Sequence, residues 1–137
     1  MAERSEEVPG TWLVEGELRG DVVQLDEALS FWGGFDAATG RIIDQSHPQH
    51  GTSLSGKVVA MPGSRGSSGT PGVLGDAIRQ GTGPAAMIIT KADINLVAGA
   101  LTAQALYDRT CPILLVDDAT FADLPDSLPA PPTEDTP

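Results

Sequence analysis

Lys57 to Leu74, KVVAMPGSRGSSGTPGVL, decides how the chain folds. KVVAM is a continuous apolar run, the pattern of a strand buried on both faces, as in parallel sheets. Thr70-Pro71 then opens a helix to about Gln80. Thr70 is the expected N-cap, Pro71 a suitable first residue and Gly81 the stop. Val73, Leu74, Ala77 and Ile78 share one face of that helix. Two more runs of the same kind follow, Ala85–Thr90 (AAMIIT) and Pro112–Val116 (PILLV). Between them a second helix is predicted from Ile94 to about Asp108. Asp93 is its cap, and Ile94, Val97, Ala98, Leu101 and Ala105 are its buried stripe. Strand, helix, strand, helix, strand implies right-handed crossovers and a parallel sheet.

The residues before Lys57 read differently. Trp12, Val14, Gly16 and Leu18 alternate with polar residues, as in a half-buried strand. Short strands are predicted near Val22–Leu25, Leu29–Trp32 and Arg41–Asp44, with Gly33-Gly34 and Thr39-Gly40 as turn signals. The expected fold class is α/β: a β-rich first half joined to a βαβαβ second half. Residues 1–9 read as a disordered acidic tail, 10–123 as one domain, and 124–137 (LPDSLPAPPTEDTP) as a disordered Pro-rich acidic tail. Deleting the residues after Pro125 is then expected to change stability little.

A chain of 137 residues suits one domain. Its formal charge is −11, but six of the carboxylates lie from Asp117 onward, where no Lys or Arg occurs. An acidic chain without a basic stripe is unsuited to nucleic acid and to anionic membrane surfaces. No apolar run approaches the ~20 residues of a membrane span. The acidic start, MAERSEEVPG, has neither the pattern of a signal peptide nor that of a basic transit peptide. A cytoplasmic location is expected. The single cysteine, Cys111, makes no internal disulfide and cannot alone hold zinc or a cluster. No metal is expected on this chain.

Chemistry concentrates in Met61 to Leu74. Ligands in open α/β sheets sit beyond the carboxyl ends of the strands, and a helix N-terminus favours an anion. The glycines admit close backbone approach. Arg65 adds a permanent cation, and Ser64, Ser67 and Ser68 add hydroxyls. The segment lacks the Gly-Lys-Ser/Thr ending of a nucleotide loop, a dinucleotide glycine spacing, and the Gly-x-Ser-x-Gly of a nucleophile elbow. On composition alone, a carboxylate or phosphate pocket and a plain surface loop stand level.

Other candidates are weaker. His47 and His50 have i, i+3 spacing, but Pro48 opposes a helix that would aim both at a metal, so a solvated turn is the better reading. No histidine follows Ser67, which counts against a Ser–His hydrolase without removing an upstream partner. Cys111 reads as a small core residue. Trp32 reads as structural, Gly34 and Asp36 as candidate site residues, and Arg41 and Lys57 as solvated or interface charges.

An ordered series of motifs carries a family resemblance. It comprises Leu29–Gly34 (LSFWGG), Phe35 to Asp44 (FDAATGRIID), His47-Pro48, Ser55-Gly56-Lys57-Val58, Pro62 to Leu74, and Gly83-Pro84-Ala85-Ala86. Together they resemble the small subunit of the aconitase X family over roughly Val14 to Val116. The resemblance implies the swivelling β/β/α domain of the aconitase superfamily. It implies a hydro-lyase built as a heterodimer, with an iron–sulfur cluster on a separate large subunit and none on this chain. It places the proton-accepting serine after Arg65-Gly66, at Ser67, with Arg65, Gly66, Ser68, Gly34 and Asp36 as substrate-binding candidates. The implied substrates are small hydroxy acids: cis-3-hydroxy-L-proline or 5-phosphomevalonate. Two lysines among eight basic residues, with abundant Ala, Gly and Asp, suggest GC-rich coding and favour the first. A non-catalytic swivel or anion-binding partner module and a serine hydrolase using His47 or His50 are the alternatives from other classes.

Overall fold

A computed structural model of the chain describes residues 8–63, 65 and 67–129. The strands are β1 (Thr11–Val14), β2 (Gly20–Gln24), β3 (Phe35–Asp36), β4 (Arg41–Ile42), β5 (Val58–Met61), β6 (Ala86–Ile89), β7 (Ile113–Leu115) and β8 (Ser127–Leu128). The helices are α1 (Phe31–Gly34), α2 (Thr70–Gln80), α3 (Ile94–Tyr107) and α4 (Asp118–Ala122). The main sheet has the order β1-β7-β6-β5-β2-β8. Its four inner strands, β2, β5, β6 and β7, are parallel, and β1 and β8 close the two edges antiparallel. A two-stranded β3–β4 ladder stands apart from it. The expected α/β class with a parallel second half is what the chain adopts.

Register explains why the apolar runs do not alternate. Val23, Val59, Met87 and Ile113 stand side by side across four strands. That row and the row of Met61 and Ile89 face the helices, packing with Leu74, Ala77, Leu96, Ala100 and Ala103. Side chains alternate faces along a strand, so the intervening row, Ala60, Ile88 and Leu114, points the other way. It packs with Val8, Leu18 and Leu128, and with the part-buried Phe121. Both faces are covered, so every residue of β5 and β6 must be apolar.

The helices follow the sequence reading in position and depart from it in detail. Gly69, not Thr70, is the N-cap of α2, and Thr70 is its first helical residue. The reason is local: Thr70 N–H already donates to the Ser67 carbonyl, so the turn begins upstream. Gly81 ends α2 at φ +84°, its N–H reaching the carbonyls of Ala77 and Ile78. Asp93 caps α3, accepting from the Asn95 and Leu96 amides.

The expected stripe of α3 is corrected by one position. Leu96, Gly99, Ala100 and Ala103 are buried, Val97 is half-buried, and Ile94, Leu101 and Ala105 are exposed. Large apolar residues lie on both sides of this helix, so periodicity alone did not point it. Close approach of α2 chose the small residues: a Cβ on Gly99 would stand 3.1 Å from Pro71 Cα and 3.2 Å from Leu74 Cβ.

Three further expectations change. Leu29–Trp32 is not a strand; Phe31–Gly34 forms a distorted helical turn, with Gly33 at φ +84°. The strands predicted to reach Leu18 and Asp44 stop at Val14 and Ile42. The packed chain also extends past the expected boundaries of 10 and 123. Val8 is 1% exposed, and β8 pairs Leu128 with Gly20 and Ser127 with Asp21. An open edge on β2 needs hydrogen-bond partners, and this Pro-rich stretch supplies them. The rest of the two expected tails, 1–7 and 130–137, lies outside the described residues.

Deleting everything after Pro125 removes β8, the buried Leu128 and the bond from Val22 N–H to the Asp126 carbonyl. A loss of about 2 kcal/mol or more is expected from the Leu128 burial alone. Urea unfolding of the truncated and full chains measures it; equal midpoints would mean that β8 contributes nothing.

Candidate active site

The loop from Pro62 to Gly69 is held at both ends. At its start Gly63 takes φ +66°, a left-handed conformation natural to glycine. Its N–H donates to Thr90 Oγ1 at 2.6 Å, just past the end of β6. At its end the Thr70 N–H donates to the Ser67 carbonyl at 3.0 Å, and the Gly69 N–H donates to Ser67 Oγ at 3.1 Å. Ser67 is thus fixed in a hydroxyl-to-backbone turn that runs directly into α2, and it is half-buried.

This arrangement has a chemical sense. A backbone N–H aimed at a hydroxyl oxygen favours negative charge there. The N-terminus of α2 adds a positive dipole end. Arg65, on the same loop, is exposed, as is Ser68. Gly66 and Ser64 lie outside the described residues. Thr70 Oγ1 is buried and makes no hydrogen bond.

The turn α1 packs against α2 and supplies a second wall. Trp32 is 62% exposed, and a Cβ on Gly69 would come within 2.5 Å of its ring. The indole therefore rests on the Gly69 backbone. Trp32, which reads as structural in the sequence, lies against the loop; its sequence signals were its position before Gly33-Gly34 and its place in the LSFWGG motif. Gly34 is buried, and its carbonyl accepts from the Ile43 and Asp44 amides at 2.8 and 3.3 Å. Its would-be Cβ stands 3.2 Å from Leu29 Cδ1, so the position serves close backbone packing.

Asp36 does not join the loop through any hydrogen bond among the described residues. Its carboxylate accepts from the Ala38 N–H and the Thr39 hydroxyl of its own turn. Asp44 is the acid nearer the loop. The Ser46 hydroxyl, then the Ser46 N–H, hold its carboxyl below the usual carboxylate range; partial burial opposes them, and the Arg65 charge adds to the lowering. Sequence reasoning passed over Asp44 and Thr90. The Asp44-x-Ser46 turn pattern marked the first, and its place at a carboxyl strand end marked the second.

The histidines separate. His50 is exposed, but His47 is 4% exposed rather than in a solvated turn. Its Nδ1 accepts from the Gln49 N–H, so Nε2 carries the hydrogen and donates to the Glu27 carbonyl. Both ring nitrogens are occupied, which withdraws His47 as a base for Ser67. Among the described residues, no three His, Cys, Asp or Glu side chains are grouped to hold a metal ion, and no helix is long and apolar enough to cross a membrane. The exposed Arg41 guanidinium donates to the Gly51 carbonyl, and Lys57 lies 3.7 Å from the Asp21 carboxylate. Neither belongs to the loop.

The family model for the aconitase X swivel domain matches residues 7–128. The chain is 41% identical over 106 residues to cis-3-hydroxy-L-proline dehydratase of Pseudomonas aeruginosa, covering 77% of this chain and 18% of that one. It is 44% identical over 88 residues to the phosphomevalonate dehydratase small subunit of Methanothermobacter thermautotrophicus, covering 64% and 67%. The chain thus spans about a fifth of the first relative's length and two thirds of the second's. A crystal structure of holo-form aconitase X from Thermococcus kodakaraensis superposes with a TM-score of 0.74 at 26% identity, over 86% of this chain and 84% of that one.

Cys111 is fully buried, and burial pushes its thiol up to about 12. It should resist alkylation in the native chain and react fully once unfolded. Unfolded, the thiol ionises near its ordinary value of 9.0. Its contribution is therefore intact below that pH and lost as pH climbs toward the folded value. Rapid labelling by a thiol reagent at neutral pH in the folded protein would contradict the burial.

Proposed function

The chain belongs to the aconitase X swivel-domain family, and on that footing we propose that it is the small subunit of a cytoplasmic heterodimeric hydro-lyase, with Ser67 as the proton-abstracting base. One observation carries the reading: the Gly69 N–H points at Ser67 Oγ where the loop enters α2. A serine hydroxyl is a poor base unless its alkoxide is stabilised. The Gly69 N–H, the positive end of the α2 dipole and the Arg65 charge are the stabilising groups available.

The reaction is the loss of water from a β-hydroxy acid. The Ser67 alkoxide takes the proton from the carbon beside the carboxylate. The electron pair left behind forms the carbon–carbon double bond as the carbon–oxygen bond to the hydroxyl breaks. Arg65, Gly66 and Ser68 are proposed to bind the substrate's anionic group. Gly34 and Asp36 keep lesser places, as a close backbone wall and as the brace of the neighbouring turn. An iron–sulfur cluster does not fit this chain: its one cysteine is buried, and no ligand group stands ready among the described residues. The cluster is assigned to the large subunit, and so is removal of the hydroxide. A large subunit covering the loop would exclude water and strengthen each interaction with the alkoxide.

The proposed substrate is cis-3-hydroxy-L-proline, whose loss of water gives a cyclic enamine that moves its N–H proton to carbon to become the cyclic imine acid. The alternative is 5-phosphomevalonate, favoured by the 44% identity to a small subunit acting on that compound. A swivel module that binds an anion without turnover is the non-catalytic alternative, and the retained Arg65 and Ser67 speak against it.

Co-expression with the aconitase X-type large subunit of the same genome, assayed on both substrates, tests the proposal. One of the two should be dehydrated. Ser67→Ala should assemble normally and lose roughly 10²–10⁴-fold in kcat, the usual worth of a general base. Wild-type turnover in that variant would place the base elsewhere. The isolated chain should be colourless, and an iron–sulfur absorption band in it would overturn the division between subunits.

A further inference from the structure

We propose that Trp32 is a positioning residue for Ser67, its ring clamping the turn that aims the Gly69 N–H at Ser67 Oγ. The inference rests on the reading of Ser67 as base and adds to it a residue outside the loop.

The sequence places an indole where solvent would be expected to win. Its neighbour Phe31 is 1% exposed and Gly34 is buried, yet Trp32 between them is 62% exposed. The backbone is shaped for this. Trp32 leaves the helical region at φ −79°, ψ 110°, and Gly33 follows at φ +84°. A Cβ on Gly33 would meet nothing within 4 Å, so the glycine supplies a conformation rather than room. The Ser30 hydroxyl donates to the Trp32 carbonyl at 3.1 Å and fixes the segment on its other side.

The outward-turned ring has a definite seat. A Cβ on Gly69 would stand 2.5 Å from Trp32 Cε3 and 2.6 Å from Cδ2, distances that real Cβ atoms do not tolerate, and 3.0 Å from Cγ. The ring thus lies on the Gly69 α-carbon, and no residue but glycine leaves it there. Gly69 is not glycine for its torsions, since φ −84°, ψ −14° suits any L-residue. Its missing side chain makes room for the indole. The same residue donates the N–H to Ser67 Oγ. A flat apolar ring on that peptide restrains its rotation and shields one side of the hydrogen bond from water. A hydrogen bond to a charged acceptor strengthens in such surroundings.

The test is a double-mutant cycle in the assembled heterodimer, read by kcat, KM and the pH profile of kcat, with Ser67→Ala as reference. Trp32→Ala should lower kcat roughly ten- to hundredfold, as expected for a misplaced reacting group. KM should change little, and the ascending limb of the profile should move to higher pH, because a less stabilised alkoxide forms later. Trp32→Phe should recover most of the rate. Gly69→Ala should match Trp32→Ala, since its methyl evicts the ring. In the Trp32→Ala background it should cost nothing more, because the clash is gone and the torsions are ordinary. NMR spectra of the full chain should show the Gly69 α-protons shifted upfield by the ring, and the shift should vanish in Trp32→Ala.

Additive losses in the cycle, an unmoved pH limb, or Gly69 protons without a ring shift would each overturn the clamp. Failure of Trp32→Ala to assemble with the large subunit would overturn it in favour of a docking role. If Ser67→Ala is itself fully active, the base assignment falls instead. If that variant is inactive while Trp32→Ala keeps the wild-type profile, only the clamp falls.

Discussion

Val58 to Ala60 are paired on both sides, to β2 and to β6, and the whole strand to Met61 is covered above and below. That central strand sets the positions of everything else. Its parallel neighbours demand crossovers: α2 leads from it to β6, and the segment with α1 and the β3–β4 ladder leads to it from β2. Its carboxyl end is where the chain must leave the sheet, turn and enter α2. The serine loop sits there because the strand ends there. A polar residue in this strand would face one of two apolar cores with no water to satisfy it.

The sheet and its helices were legible because their signals are local and strong. Unbroken apolar runs mean two-sided burial, and Gly81 and Asp93 do at the helix ends what their chemistry suggests. What was not legible depended on partners distant in the chain. The face of α3 could not be chosen from a helix with large apolar residues on several sides. It was settled by how closely α2 approaches Gly99. Leu128 looks like part of a Pro-rich tail until β2 is known to need an edge partner. Leu29–Trp32 has the composition of a strand, but Gly33 reverses the chain and turns it into a helical corner.

The site divides in the same way. Composition left an anion pocket level with a plain surface loop, and only the family resemblance singled out Ser67. The loop around it could be placed in one dimension, between a buried strand and a helix with Pro71 in its first turn. Its surroundings could not. Trp32, Asp44 and Thr90 come from three different segments and meet the loop only through the fold. Asp36 pointed the other way: its place in a motif made it a candidate, but its carboxylate is occupied by its own turn. The buried His47 shows the same limit, since a polar His-Pro-Gln-His segment gave no hint of the Glu27 carbonyl waiting for its ring.

The edges of the sheet have a consequence for how the molecule forms. β1 finds its partner in β7, about a hundred residues later, and β2 needs β8 at a similar remove. Loop-closure entropy must therefore be met twice, once from each side, before either edge is covered. A ribosome that has released only the first hundred residues holds β2, β5 and β6 with both outer edges bare. In that interval the nascent chain is the kind of substrate that chaperones hold. Closure is late in the order of synthesis, and topologies with such distant pairings belong among the slower folders.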